Sequence, residues 1–127
     1  MSLSPTIEEL HREAQAAMRS GNPRAAHQHC LAILQQDPQH ADAWFLCGVI
    51  AAGNGQYGKA VDILRRAITL KPDSAEYRAE LAKQLIALKE PAQAVENARL
   101  ALELQPTNLP ILNTLGTVFS HAGEHRE

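Results

Sequence analysis

Aromatic residues are scarce in this chain. They fill 4% of its 127 positions, against 45% for hydrophobic types as a whole. Alanine, the strongest helix former, supplies much of that apolar share. The β-branched and aromatic residues that suit strands are sparse, so an all-helical core is expected. Cations in runs are also missing: Lys and Arg number 12 against 14 acids, for a net charge of -2, and only Arg65-Arg66 are adjacent. No basic footprint for a nucleic-acid partner exists. Long apolar runs are absent too, the longest (Ala43 to Gly53) being far short of the roughly 20 residues a membrane span needs. The N-terminus lacks the charged-then-apolar pattern of a secretory leader. Two cysteines, Cys30 and Cys47, make no disulfide framework. These absences point to a soluble, cytoplasmic chain with room for one domain, no nucleic-acid partner and no membrane role.

What the chain does have is a period. Pro38, Pro72 and Pro106 are 34 residues apart, and each closes an apolar run. Ala26, Ala60 and Ala94 keep the same phase, as do the small residues Ala14, Gly48, Ala82 and Gly116. Gly21, Gly55 and Gly123 form another series, with Lys89 in its vacant slot. Several independent series in one phase identify a repeat protein.

Each repeat reads as two helices, placed at 6–20 and 23–36, 41–53 and 57–70, 75–88 and 91–104, with a seventh at 109–122. Thr6 with Glu9 has capping-box spacing, and Asn22-Pro23 sets an N-cap before a proline at the first helical position. Glu90-Pro91 starts a helix in the same way. Each recurring proline ends a second helix, because the residue before it is pushed out of the α region. The small residues mark close helix crossings. Gly21, Gly55 and Gly123 are expected to end first helices in the left-handed conformation.

The second repeat, ADAWFLCGVIAAGNGQYGKAVDILRRAITLKPDS, resembles a tetratricopeptide repeat from end to end. It carries Trp44, Gly48, Tyr57, Ala60, Ala67 and Pro72 at that family's signature positions, and departs at Cys47, Ala51 and Leu64. The other repeats match more weakly, and the third has Arg78 in the slot of Trp44. The resemblance implies an all-α, right-handed solenoid of antiparallel helix pairs with seven helices. Its single domain spans 1–127 as repeats 7–40, 41–74 and 75–108 and a half repeat, 109–127. It also implies a scaffold that binds other proteins.

Several tempting motifs lose their appeal in this frame. GNGQYG, residues 53–58, fits a dinucleotide fingerprint and, with Lys59, most of a P-loop. Either needs a preceding strand, whereas the repeat phase makes DAWFLCGVIAA a helix and Gly55 a turn between helices. His27, His29 and Cys30 offer at most two ligands on one helix face, and His121 with His125 offers half a site, so no metal is expected. Cys30 and Cys47 fall at packing positions of neighbouring helices, where two reduced thiols are favoured over a disulfide. No nucleophile has a base and orienter placed by this fold, so the module itself is expected to be no enzyme and to need no cofactor.

In arrays of the resembled family the first helix of each repeat lines a concave groove. Carried over by phase, the lining is His11, Gln15 and Met18, then Phe45, Val49 and Ala52, with Leu46 adding to the apolar middle. Ala79, Lys83 and Ile86 follow, then Asn113, Thr117 and Ser120. Phe45 and Val49 are surplus to the core pattern, which leaves them to meet a peptide or partner domain, or to pack on their own solenoid. Chaperone-binding members of the family hold a C-terminal carboxylate with Lys, Arg and Asn. The matching positions here are His11, Gln15, Leu46, Glu76 and Glu80, so that mode is not expected. Runs such as HADAWFLCGVIA also look similar to arrays that precede bacterial sulfotransferase or glycosyltransferase domains. The alternative is therefore an accessory, substrate-recognition domain of a larger transferase.

The last segment is the first helix of a fourth repeat with nothing after it to cover Leu112, Leu115 and Phe119. Solenoid ends normally carry a polar cap. The chain is read as an excerpt of a longer protein, and this end is expected to form a homodimer contact or to fray. Met1-Ser2-Leu3 is read equally as native or as an added leader.

Overall fold

The computed structural model describes residues 5–124. Among them the chain forms seven α-helices and no strand: α1 (Ile7–Arg19), α2 (Pro23–Gln36), α3 (Ala41–Gly53), α4 (Tyr57–Leu70), α5 (Ala75–Ala87), α6 (Pro91–Leu104) and α7 (Leu109–Glu124). Each helix packs on the next. In addition, α5 touches α7 and α3 touches α5, so the first helices of successive pairs form a row. This is an α-solenoid of stacked helix pairs. No helix among the described residues is long and apolar enough to cross a membrane. Met1 to Leu3 and His125 lie outside the described residues.

Local chemistry sets the helix ends. Thr6 Oγ1 accepts from the Glu9 N–H at 3.1 Å while Glu9 Oε1 accepts from the Thr6 N–H at 3.1 Å, a complete capping box. Asn22 caps α2 through the Ala25 N–H, with Pro23 at the first helical position. Gly21 and Gly55 adopt φ of 78° and 77°, the left-handed geometry that turns the chain back. Lys89 takes the same geometry, with φ 61°, so the turn demands this backbone even where glycine is absent. Gly123 departs from expectation. It lies inside α7, which continues to Glu124, and no second helix follows among the described residues to draw the chain back.

The alanine series Ala26, Ala60 and Ala94 is fully buried, as are Ala14 and Ala82. A Cβ on Gly48 would lie 2.9 Å from Leu64 Cγ and Cδ2, so this crossing has no room for even a methyl group. Two apolar clusters result. One joins Leu10, Ala14, Cys30, Ile33, Ala43 and Cys47, and the other runs from Val61 and Leu64 through Leu81 and Leu85 to Leu115 and Val118. The Trp slot is filled in two ways. Trp44 Nε1 donates to the Pro38 carbonyl at 2.8 Å, and Arg78 Nη2 donates to the Pro72 carbonyl at 3.1 Å. A guanidinium thus makes the indole's bond to the proline one period on.

Candidate functional site: the row of first helices

The GNGQYG segment has no phosphate-binding geometry. Gly53 ends α3, Gly55 is the left-handed turn, and Tyr57 opens α4, so a helix rather than a strand precedes the loop. No group of three or more His, Cys, Asp or Glu among the described residues could hold a metal ion. The expected lining residues lie on the row formed by α1, α3, α5 and α7.

At the centre of the row Phe45 stacks on Tyr77, with ring centroids 4.6 Å apart and planes 14° from parallel. Phe45 stays half-buried and packs against the larger cluster, whereas Tyr77 is 1% exposed. Val49 and Ala52 on α3 and Ile86 on α5 are also half-buried. Leu46 packs against the N-terminal cluster. Ala79, an expected lining residue, is 3% exposed and belongs to the core between helices. It holds α5 close and offers a ligand almost nothing.

Acids stand near the Phe45–Tyr77 pair. The Tyr77 hydroxyl donates to Asp42 Oδ1, and His11 Nε2 lies 3.9 Å from Asp42 Oδ2. His11 also meets the His40 ring edge-on at 5.5 Å. Burial first, then the hydrogen bond and charge of Asp42, push the Tyr77 hydroxyl well above the usual phenol range. Glu76 is pushed up from the ordinary carboxylate value by partial desolvation, then by the charges of Asp42 and Glu80, with Lys71 acting in the opposite sense. Glu80 accepts from buried Gln84 at 2.7 Å and sits 3.5 Å from Lys83 Nζ, an ion pair within α5. Toward the ends the row becomes polar. Gln15 is exposed and Met18 half-buried at one end; Asn113, Thr117 and Ser120 are exposed at the other, where Thr117 Oγ1 donates to its own helix at Asn113.

Tyr77 is the residue that sequence reasoning passed over. Phase places it beside the Trp slot, not in the lining. The available signal was rarity: with two tyrosines and two phenylalanines in the chain, each ring is worth placing against the others. At α7 the structure also departs from expectation. Leu115, expected on an open face, is 2% exposed inside the larger cluster, and Leu112 is half-buried. Leu109 and Phe119 are the large apolar side chains this helix leaves exposed.

The model of the tetratricopeptide repeat family matches residues 11–75 and 54–108. Among solved structures, an O-GlcNAc transferase of Thermobaculum terrenum is 32% identical with a TM-score of 0.85, over 88% of this chain and 22% of that one. The chain thus spans about a fifth of that transferase. The TPR2B domain of yeast Sti1, in its pHsp70 complex, is 18% identical with a TM-score of 0.84, covering 94% of this chain and 98% of that one. The Yersinia enterocolitica type III secretion chaperone SycD, in complex with a peptide of the translocator YopD, is 22% identical with a TM-score of 0.80, covering 96% and 93%.

Proposed function

This chain belongs to the tetratricopeptide repeat family, and from that premise we propose that it is a protein-interaction module that binds an extended peptide or a partner domain on its row of first helices. The units of the array are repeats 7–40, 41–74 and 75–108 and the half repeat 109–127. The observation that carries the reading is the set of half-buried apolar side chains on the first helices, Phe45 and Val49 on α3 and Ile86 on α5, with Asp42, Glu76 and Glu80 on the same two helices. Apolar side chains between repeats give affinity, and the acids select against acidic termini. The favoured ligand is a segment that sets an apolar residue beside Lys or Arg. A free C-terminal carboxylate, the ligand of the family's chaperone-binding members, meets acids where it needs cations. His11, Gln15, Met18, Asn113 and Thr117 extend the surface as polar margins, and Lys83 lies beside Glu80.

A display library of extended peptides tests this directly. Val49 is the cleanest probe because Phe45 also supports Tyr77. Hits should pair an apolar with a basic residue, and Val49→Glu should abolish their binding without moving the thermal melt. Hits that end in acidic residues, or that ignore Val49→Glu, would refute the reading.

The likeness to the Thermobaculum transferase favours a second reading, in which this array is the recognition arm of a larger glycosyl-transferring protein. The reading frame beyond Glu127 decides it. A catalytic domain there makes this array its substrate-selecting arm, and further repeats alone make the protein an adaptor. A homodimer through the exposed Leu109 and Phe119 of α7 belongs to the same proposal. Sedimentation that depends on concentration and is lost in Phe119→Asp supports it; a monomer at all concentrations ends it.

A further inference from the structure

A cleft of about 400 Å³ opens between α2, α3 and α4, away from every residue assigned to the peptide surface. Arg24 and His27 of α2 and Lys59 of α4 stand on its walls, and Cys47 of α3 lines it. Cys47 is 6% exposed, whereas Cys30, on the facing helix α2, is fully buried. Both thiols are free and belong to the same apolar cluster. They act on each other, and only one of them meets the cleft. Interaction with Cys30, and then the Lys59 charge, pull the Cys47 thiol down, against its burial. Its neighbour and burial push the Cys30 thiol up. Cys47 is thus the thiol that lines the cleft, together with Arg24 and Lys59. Two core cysteines chosen only for packing need neither a cleft nor cations at its rim.

We propose that Cys47 is an oxidation site for hydroperoxides that enter this cleft, and that Cys30 resolves the oxidised Cys47 into a disulfide joining α2 to α3. In the first step the Cys47 thiolate attacks the outer peroxide oxygen. The O–O bond breaks, Cys47 becomes a sulfenic acid, and the alkoxide or hydroxide leaves with a proton from solvent. In the second, the Cys30 sulfur attacks the Cys47 sulfur and the S–O bond breaks. The hydroxide takes the Cys30 proton and departs as water. Two thiols and one hydroperoxide give a disulfide, an alcohol or water, and a second water. Arg24 and Lys59 favour the thiolate and the anionic leaving group. The product ties the second helix of repeat one to the first helix of repeat two, fixing the joint whose angle shapes the array. The inference is independent of what the peptide surface binds.

The test treats the reduced, folded protein with hydrogen peroxide, blocks free thiols with N-ethylmaleimide, and reads intact mass and linked peptides without reductant. The expected result is loss of two hydrogens, a Cys30–Cys47 linked peptide and no maleimide uptake. Cys30→Ser should trap a dimedone adduct on Cys47, and Cys47→Ser should leave Cys30 unoxidised. Lys59→Gln, a surface change that leaves both thiols in place, should slow disulfide formation several-fold at neutral pH. The inference is overturned if both thiols survive peroxide in the folded protein, if the bond forms only after unfolding, if the dimedone adduct sits on Cys30, or if Lys59→Gln leaves the rate unchanged.

Discussion

Gly48 and Gly116 hold the same slot two periods apart, and the structure treats them in opposite ways. Over Gly48 lies Leu64 of α4, so close that an added Cβ would sit 2.9 Å away, whereas around Gly116 there is nothing within 4 Å. The difference extends to whole helices. On α3, residues Ala43, Cys47, Gly48, Ile50 and Ala51 are buried, because helices cover it on several sides. On α7 the buried residues Ile111, Leu115 and Val118 make one stripe, and Leu109 stays 71% exposed. Between α6 and α7 lies a cleft of about 540 Å³ lined by Val95, Arg99, Phe119 and Ala122, and the corresponding cleft beside α3, of about 400 Å³, gains a wall from Lys59 and Ile63 of α4. In a solenoid a helix's sequence answers to what covers it, and apolar residues on every face mark a covered helix.

The largest effect should come from removing the roof. Leu64 is fully buried over Gly48, so Leu64→Ala loses its transfer free energy and leaves a cavity at the crossing, costing about 2–5 kcal/mol by urea denaturation. A cost below 1 kcal/mol would mean that α3 and α4 collapse together and that the close crossing is not a rigid constraint. Next comes Gly48→Ala. The nearest atoms include Leu64 Cγ, a branch point without room to swing, so this small addition should destabilise by about 1–3 kcal/mol.

The outcome of these comparisons was only partly visible in the chain itself. Helix ends were legible because each depends on a local signal, such as the Thr6–Glu9 box, Asn22-Pro23 and the left-handed glycines. The observed helices fall within two residues of their expected bounds. The Gly123 turn failed because a turn in this fold is enforced by the helix packed after it, not by glycine alone. The lining of the row was harder to read. The 34-residue phase says which residues are equivalent but not how far one repeat rotates against the next. Nor does it say that Ala79 is buried where its equivalent Phe45 is half-buried, or that Tyr77 lies under Phe45. Ring stacking and the Tyr77–Asp42 bond join residues 32 and 35 positions apart, just off the period, so a strict phase argument misses both.

At the open end the sign of the glycine substitution should reverse. Gly116 lies inside α7 with free space where a methyl group would go, so Gly116→Ala should stabilise by roughly 0.5–1 kcal/mol through helix propensity alone. Opposite signs at Gly48 and Gly116 would establish that cover, rather than the repeat's sequence signature, decides whether glycine is needed. If Gly116→Ala destabilises instead, something occupies that face in solution. A second copy seated on α7 is then the first explanation to examine, by repeating the melt across protein concentrations.

The smallest effect separates the two regions by charge. Covering α3 and α5 crowds Asp42, Glu76 and Glu80 together, whereas the first turn of α7 carries no acid and has Pro110 at the position of Glu76. Burial and the two neighbouring carboxylates raise the Glu76 pKa in the folded state, so its ionised form is disfavoured there relative to the unfolded chain. At a pH below the unfolded pKa both states hold the proton and nothing is lost. As pH rises past that value the unfolded chain ionises more readily, and the cost grows until the folded carboxyl has ionised too. Glu76→Gln removes that cost. The variant should match the parent in acid and become the more stable of the two as pH climbs through the carboxylate range, with a constant advantage above it. Urea melts of both proteins across that range measure the gap. A gap that is flat with pH, or that widens toward acid, would show that the ionised Glu76 is welcome at the start of α5, through its helix N-terminus and Lys71, and that crowding at the covered centre carries no cost.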